Sequence, residues 1–208
     1  MDADWSVECA GDDPLVVVPW QNSDGTLTYL DLRAELPRDA DILLQIPEAR
    51  QYPAIATALR RWNHAASPLF TAKCDVWSYP ENLFDAEDLP GFAFARGSYV
   101  DLLPLTAETF QHFAAAEKQL RRWKDMAATI AAPDARCEWI LRRAMIAAQS
   151  VKVGSTEYLP GYAATLYVWG YGDNEESAAL AWDAALTALI EPILIEPTLA
   201  DAPATIEQ

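Results

Sequence analysis

The sequence predicts an α+β fold, with an antiparallel or mixed sheet that has its helices on one face. Two observations lead to this class. Several stretches that alternate like β-strands follow one another directly along the chain, whereas α/β folds place a helix after each strand. Other stretches repeat apolar residues every three or four positions, the spacing of amphipathic helices. The 208 residues, 51% of them hydrophobic, suffice for one core, and we expect a single domain over residues 1–195.

The first quarter of the chain predicts a hairpin and then a helix. Residues 15–20 and 26–32 are rich in β-formers and flank the turn-rich segment 21–25. Pro47 and Pro53 each suit the first turn of a helix, where a missing amide hydrogen is harmless. The apolar stripe of this helix consists of Tyr52, Ile55, Leu59 and Trp62.

Two strands are predicted next, over residues 70–79 and 98–103, with a long acidic loop at 80–96 between them. In the first strand, alternation predicts two sides with different chemistry. Phe70, Ala72, Cys74 and Val76 form one side, and Thr71, Lys73, Asp75, Trp77 and Tyr79 form the other.

The middle of the chain predicts two helices. Thr106 is a suitable cap for the first, whose apolar residues keep a regular spacing over 113–130. Residues 136–145 fit a helical face better than an alternating one, so a second helix is the preferred interpretation. A strand there is the alternative, because Trp139 and Ile146 lie off the apolar stripe. With that strand, residues 28–146 would have the β-α-β-β-α-β order of a ferredoxin-like plait.

The last elements are a strand at residues 163–171 and a helix that starts near Asn174 and ends at Pro192. The strand is rich in aromatic and β-branched residues. The helix has polar capping residues before it and apolar residues on one side. Residues 196–208 are polar and acidic, and we expect a flexible tail there.

The charge of the chain limits its partners. The net charge is −16, and residues 1–48 hold eleven acids against Arg33 and Arg38. Residues 173–208 hold acids only, whereas residues 118–143 are basic. A strongly acidic protein repels phosphate backbones and anionic lipids, so neither nucleic acid nor a membrane surface is an expected partner.

Cofactor and metal sites are not predicted. The glycines never assemble into a phosphate-binding pattern, and His64 and His112 have no second histidine or cysteine at ligand spacing. Three widely spaced cysteines suggest reduced thiols rather than disulfides. No apolar run approaches the roughly 20 residues of a membrane span, and the N-terminus lacks the pattern of a secretory signal. A cytoplasmic location is therefore expected.

The strands predict one aliphatic side for the helices and one side that mixes aromatic rings with charges. This makeup is typical of an interface or a ligand-binding surface, although a plain solvated sheet face has it too. The predicted binding surface consists of Trp77, Tyr79, Tyr167, Trp169 and Tyr171.

Weak catalytic candidates lie on the same side of the sheet. Lys73 and Asp75 are two residues apart on one strand, so they point the same way, and Asp101 on a neighbouring strand could complete a cation between two carboxylates. Tyr99 is a further candidate for acid or base. A structural ion-pair network explains the same residues, and no catalytic pattern supports a named reaction.

Three Leu-Arg-Arg triplets concentrate the scarce positive charge, at residues 59–61, 120–122 and 141–143. In the simplest interpretation the arginines lie at the rims of helices and cover apolar neighbours. The alternative is an anion-binding patch for a small carboxylate or phosphate, or for the chain's own acidic ends. The candidates for this patch are Arg121, Arg122, Arg142 and Arg143.

These observations favour a non-enzymatic interaction or ligand-binding domain that associates with itself through the aromatic side of its sheet. A small metal-independent enzyme is the first alternative. A structural subunit of a larger assembly is the second, because acidic mobile ends suit such a role.

Overall fold

The structure, a computed structural model, describes residues 1–21, 27–80, 91–147 and 157–195. Helices combine with a mixed sheet, which confirms the predicted α+β class. The strands are β1 (Asp2–Glu8), β2 (Val16–Val18), β3 (Trp20–Gln21), β4 (Leu27–Thr28), β5 (Leu69–Pro80), β6 (Phe94–Pro104), β7 (Ala135–Ala147) and β8 (Tyr158–Gly172). The helices are α1 (Leu32–Glu35), α2 (Pro47–Gln51), α3 (Pro53–Trp62), α4 (Ala107–Gln111), α5 (Phe113–Ala128) and α6 (Glu175–Leu194), with a 3-10 helix at Ile42–Gln45.

The main sheet has the strand order β1-β7-β8-β6-β5, and β2 also pairs with β7. The four long strands β5, β6, β8 and β7 are antiparallel to their neighbours. Strands β1 and β2 run parallel to β7, one after the other along it. The described sheet therefore ends at β5 on one edge and at β1 and β2 on the other.

Helices α3, α5 and α6 cover one face of this sheet and bury the main core between the two layers. Helix α6 lies at the centre, where the indole Nε1 of Trp182 donates a hydrogen bond to Ser98 of β6 at 2.8 Å. The indoles of Trp62 in α3 and Trp123 in α5 donate to the carbonyl oxygens of Ile190 and Ile193 near the end of α6. Three helices are thus joined by buried tryptophans as well as by apolar contact.

The opposite face of the sheet, which we call the open face, is covered at one end only by the described residues. A second cluster of buried apolar residues packs there beneath α4 and β2. Its buried members are Val16, Val18, Leu103, Phe110, Ala144 and Ala163. The rest of the open face holds Trp77, Trp169 and the other aromatic residues that were predicted as a binding surface.

The preferred helix at residues 136–145 is wrong, because this segment is the central part of β7. Strand β7 pairs with β8 on one side and with β1 and β2 on the other. Trp139 and Leu141 face the helices, whereas Ile140 and Ala144 face the other way, and all four are buried. A strand buried on both faces loses its polar alternation, so its composition resembles that of a helix.

The predicted N-terminal hairpin is only partly right. Strands β3 and β4 pair with each other, and the turn at 22–26 lies outside the described residues. Val16–Val18, however, pairs with β7, and the chain after Asp31 turns into α1 rather than continuing as a strand. Strand β1 was not predicted, because its seven residues hold three acids and only two apolar side chains besides alanine.

The other three helix predictions are confirmed, with changed ends. Pro53 opens α3, and Thr106 caps α4 by accepting a hydrogen bond from the amide of Thr109. The single helix predicted after Thr106 is divided at His112 into α4 and α5. Asn174 caps α6, and α6 continues past Pro192 instead of ending there. By length and composition α6 also meets the criteria for a membrane span, although its buried side packs in the core.

A β-bulge in β5 changes the predicted sides of that strand. Thr71 pairs with Leu102 and Cys74 with Val100, so two residues, Ala72 and Lys73, lie opposite one residue of β6. Thr71 and Cys74 consequently share the helix side, and the amide of Asn63 donates a hydrogen bond to the Thr71 hydroxyl at 2.8 Å. The prediction that Phe70 and Ala72 share a side with Cys74 and Val76 is wrong, because Phe70 and Ala72 pack against the second cluster.

Candidate functional site

Aromatic side chains from three neighbouring strands meet on the open face. Trp77 of β5 and Trp169 of β8 lie across from each other with Gly97 of β6 between them. Tyr99 and Tyr167 are paired in the next row of the sheet. We call five of these residues the aromatic cluster: Trp77, Tyr79, Tyr99, Tyr167 and Trp169.

The rings of the aromatic cluster contact one another rather than standing apart. Trp77 lies 6.2 Å from Tyr99 and 6.3 Å from both Tyr79 and Tyr167, measured between ring centroids. Tyr167 and Trp169 stack with an angle of 10° between their planes and centroids 5.4 Å apart. These contacts hold the side chains in place, which lowers the conformational entropy lost on binding.

Gly97 makes room for the largest ring of the cluster. A Cβ atom at this position would lie 2.6 Å from Nε1 of Trp77, closer than real Cβ contacts. The edge of the Trp77 indole thus occupies the space directly above the β6 backbone. Cross-strand packing of a ring on a glycine is a known stabilising arrangement in sheets.

The aromatic cluster is half-buried rather than sealed inside the protein. Trp77, Tyr99, Tyr167 and Trp169 are all intermediate in exposure, and Tyr79 is 37% exposed. Tyr171 lies at the end of the same face and stacks on Phe92 at 5.7 Å. All five residues predicted as a binding surface therefore project from the open face, and Tyr99, named only as a catalytic candidate, belongs with them.

Charged residues border the aromatic cluster on the β7 side. Arg136 lies opposite Trp169, and Glu138 lies opposite Tyr167. Asp2 of β1 is next to Arg136, with a long ion pair of 3.9 Å between the two side chains. These neighbours escaped the sequence analysis, since β7 was taken as a helix and β1 was not predicted.

A buried carboxylate lies just beyond the tyrosines. Asp101 is only 6% exposed, and its Oδ1 accepts a hydrogen bond from the Thr165 hydroxyl at 2.6 Å. The bulge places Lys73 opposite Asp101, and Arg142 lies near enough to act on it electrostatically. The predicted grouping of Lys73 with Asp101 is thus present, whereas Asp75 is exposed and its Oδ1 accepts a bond from the amide of Val76.

Replacing Asp101 by asparagine is expected to raise the free energy of unfolding at neutral pH. Burial raises the pKa of Asp101 above its ordinary value of 3.8, against the opposing effects of the Thr165 hydrogen bond, Arg142 and Lys73. The carboxyl therefore ionises first in the unfolded chain. The native protein then loses stability as the pH rises from about 3.8 towards the pKa of the folded state.

Urea unfolding of Asp101→Asn and the unaltered protein, compared at several pH values, measures this effect. The gain in the variant should be smallest near pH 3.8 and grow towards neutrality. Asp75→Asn serves as the matched control, because it removes one exposed carboxylate and should change the free energy by less than about 0.5 kcal/mol. If the free energy of unfolding gained by Asp101→Asn becomes smaller as the pH rises, the prediction is wrong.

Tyr99 is poorly suited to act as a base. Burial raises the pKa of Tyr99 to about 12, with further contributions from the charges of Asp101 and Asp75. Its phenol consequently stays protonated at neutral pH, so it can form hydrogen bonds or offer its ring but cannot take up a proton as a phenolate base. The thiols of Cys74 and Cys137 are also shifted, since burial raises the pKa of each to about 12. All three cysteines are free.

The four arginines proposed as an anion site are not brought together. Arg142 and Arg143 are consecutive residues of a strand and so point to opposite faces of the sheet. Arg142 pairs with Glu8 at 2.9 Å, and Arg143 donates to the carbonyl oxygen of Gly11. Arg121 pairs with Glu117 on α5 and lies over the Trp5 ring, and Arg122 follows it on the same helix.

The acidic N-terminal segment is the partner of the arginines on β7. The parallel register places Asp2 beside Arg136 and Glu8 beside Arg142. Opposite charges on neighbouring strands stabilise the pairing of β1 with β7. Of the four candidate arginines, Arg142 thus pairs with a carboxylate of the acidic N-terminal segment.

Comparison of the chain with protein-family models, with curated proteins and with solved structures found no match. The geometry of the open face is therefore the basis for the functional argument.

Proposed function

We propose that this protein is a non-enzymatic binding domain and that its aromatic cluster joins two copies of the chain. The observation that supports this proposal is the contact between five half-buried rings on the open face of the sheet. Interface residues that contribute most to affinity are enriched in tryptophan and tyrosine, and they lie in packed clusters. A second copy would cover the exposed parts of the rings and release the water around them.

Both signs of charge are present around the rings, which suits contact between identical surfaces. Arg136 lies on this face together with Asp75 and Glu138. In a two-fold dimer each patch meets a copy of itself, so a self-complementary patch needs acids and bases within one surface. The net charge of −16 opposes association at long range, and salt at physiological strength screens that repulsion beyond about 8 Å.

An enzyme built from Lys73, Asp75, Asp101 and Tyr99 has less support. The raised pKa of Tyr99 removes it as a base at neutral pH, and Asp75 is exposed to solvent. Asp101 is bound to Thr165 and compensated by two cations, an arrangement typical of a structural network. A role in a larger assembly through acidic mobile ends also loses support, because residues 2–8 form β1 of the sheet.

We place this domain in the cytoplasm as part of the proposal. Cys9, Cys74 and Cys137 are free thiols, a state that a reducing compartment maintains. The acidic surface argues against nucleic acid and anionic membranes as partners.

Replacing Trp77 and Trp169 together by serine is expected to convert a dimer into a monomer. Each substitution removes a large ring from the centre of the proposed interface, and losses of this kind typically cost 2 kcal/mol or more of binding free energy, about 30-fold in affinity each. Light scattering coupled to size-exclusion chromatography in about 0.15 M salt measures the mass.

Phe113→Ser is the matched control, because Phe113 is an aromatic side chain with 39% exposure that lies outside the aromatic cluster. It should leave the mass at that of the dimer. Far-ultraviolet circular dichroism must show that the double variant keeps its helices and strands. A monomeric mass for the unaltered protein, or a dimeric mass for a folded double variant, overturns the proposal.

A further inference from the structure

Both edges of the main sheet carry an aspartate whose carboxylate binds the next backbone amide of its own strand. On β1, Oδ1 of Asp4 accepts a hydrogen bond from the amide of Trp5 at 2.7 Å. On β5, Oδ1 of Asp75 accepts one from the amide of Val76 at 2.8 Å. Both aspartates are exposed, and β1 and β5 stand at the two ends of the described strand order. The same contact therefore occurs at two edges that lie far apart in the chain and in the sheet.

The two amides point away from the sheet. A backbone amide has a single hydrogen, and successive residues of a strand direct it alternately to the two sides. Among the described strands, β1 pairs only with β7, and β5 pairs only with β6. An amide that donates to a carboxylate is not a donor in that pairing, so the amides of Trp5 and Val76 lie on the outer side of their strands. These are hydrogen-bond donors that an added strand would use.

In each edge strand the aspartate is the only charged residue within a segment that favours β-structure. Residues 3–7 read Ala-Asp-Trp-Ser-Val, and residues 74–79 read Cys-Asp-Val-Trp-Ser-Tyr. Short segments that are rich in aromatic and β-branched residues and poor in charge pair readily with copies of themselves when they lie at an exposed edge. A second copy of this chain is therefore the source of strands against which these edges need protection.

We propose that Asp4 and Asp75 block the addition of strands from a second copy at the two edges of the sheet. Each carboxylate occupies an outward amide, and a hydrogen bond to an ionised acceptor is stronger than the bond to a carbonyl oxygen that would replace it. The negative charge also repels the carbonyl oxygens of an approaching strand. Self-association is thereby kept away from the sheet edges. This role is separate from the proposed dimer contact on the open face and does not depend on it.

The test compares two double variants of the full chain. Asp4→Ala with Asp75→Ala removes both charges and both acceptors, whereas Asp4→Asn with Asp75→Asn removes the same charges and keeps an oxygen acceptor for each amide. Light scattering over a range of protein concentrations in about 0.15 M salt measures the mass. The mass of the alanine variant should rise with concentration to about twice that of the unaltered protein or more, and the asparagine variant should not show this rise.

Hydrogen exchange locates the new contact. In the associated alanine variant, the amides of Trp5 and Val76 should exchange more slowly than in the same variant at low concentration, because an added strand then accepts their hydrogen bonds. The proposal is overturned if the alanine and asparagine variants have the same mass at every concentration. It is also overturned if the slowed amides lie away from β1 and β5.

Two controls keep the result unambiguous. Far-ultraviolet circular dichroism checks the fold, and a double variant that unfolds is replaced by Asp4→Ala and Asp75→Ala singly, each beside its asparagine counterpart. All masses are compared with that of the unaltered protein. A monomeric unaltered protein overturns the dimer and leaves the comparison of the edges valid, whereas a dimer whose folded alanine variant does not grow overturns the edge proposal alone.

Discussion

Gly170→Ala is expected to lower the free energy of unfolding by about 3 kcal/mol, because added atoms in a packed interior force its elements apart. A Cβ atom at Gly170 would lie 2.0 Å from the backbone nitrogen of Trp182 and 2.6 Å from the carbonyl oxygen of Ala178. Both contacts are with the backbone of α6, which cannot move aside as a flexible side chain can. Accommodating the methyl group requires α6 to shift away from β8, and that shift opens the main core.

Gly11→Ala is the control for this prediction, since nothing lies within 4 Å of the Cβ that it would add. It should change the free energy by less than about 0.5 kcal/mol. Urea unfolding followed by tryptophan fluorescence measures both variants. A Gly170→Ala protein as stable as the unaltered chain would contradict the direct packing of the α6 backbone on Gly170.

Trp182→Ala is expected to destabilise the protein by about 4 kcal/mol, in the range found for tryptophan and phenylalanine truncations in cores. The side chain is 2% exposed and packs at the centre of α6 against the sheet. Its removal leaves a large cavity, and it also leaves the Ser98 hydroxyl without the hydrogen bond from the indole. The ring of Tyr52, 5.7 Å away, loses an edge-to-face partner as well.

Leu180→Ala provides the comparison on the same helix. Leu180 is 65% exposed, so its truncation should cost less than about 0.5 kcal/mol. Thermal and urea unfolding give the free energy of unfolding of both variants. Both introduce alanine, the best helix former, into α6, so a difference between them reflects the loss of buried contacts and not a loss of helix propensity. Equal free energies of unfolding for Trp182→Ala and Leu180→Ala would show that the Trp182 side of α6 does not pack against the sheet.

The amphipathic helices could be predicted from spacing alone. In α3 the stripe of Ile55, Leu59 and Trp62 is buried as the period of three and four residues requires. In α5 the same spacing buries Leu120, Trp123 and Ala127. One apolar side and one polar side is a property of the segment itself, so no knowledge of the neighbours is needed.

The sequence-based prediction failed for β7 because the periodic signal depends on what covers a strand. Cys137, Trp139 and Leu141 face the helices, whereas Ile140 and Ala144 are buried on the opposite side, Ala144 within the second cluster. Burial on both faces erases the alternation of a half-exposed strand. The Leu-Arg-Arg triplet at residues 141–143 also favoured a helix, because the other two triplets lie in predicted helices. In the strand, however, Arg142 and Arg143 point to opposite faces of the sheet.

Strand β1 was missed for a related reason. Its sequence is short and acidic, and its partner β7 lies about 130 residues away in the chain. Pairs such as Glu8 with Arg142 become visible only when the two strands are placed side by side. Strand propensity depends strongly on such cross-strand neighbours and weakly on the segment itself.

By itself, the sequence determined the fold class, the three long helices of the core, most of the long strands β5, β6 and β8, and four of the five residues of the aromatic cluster, because periodicity and composition are local properties. Only the tertiary structure decided the identity of β7, the parallel addition of β1 and the bulge that turns Lys73 towards Asp101. Each of these depends on contacts between distant segments, and their free energy cannot be read from either segment alone.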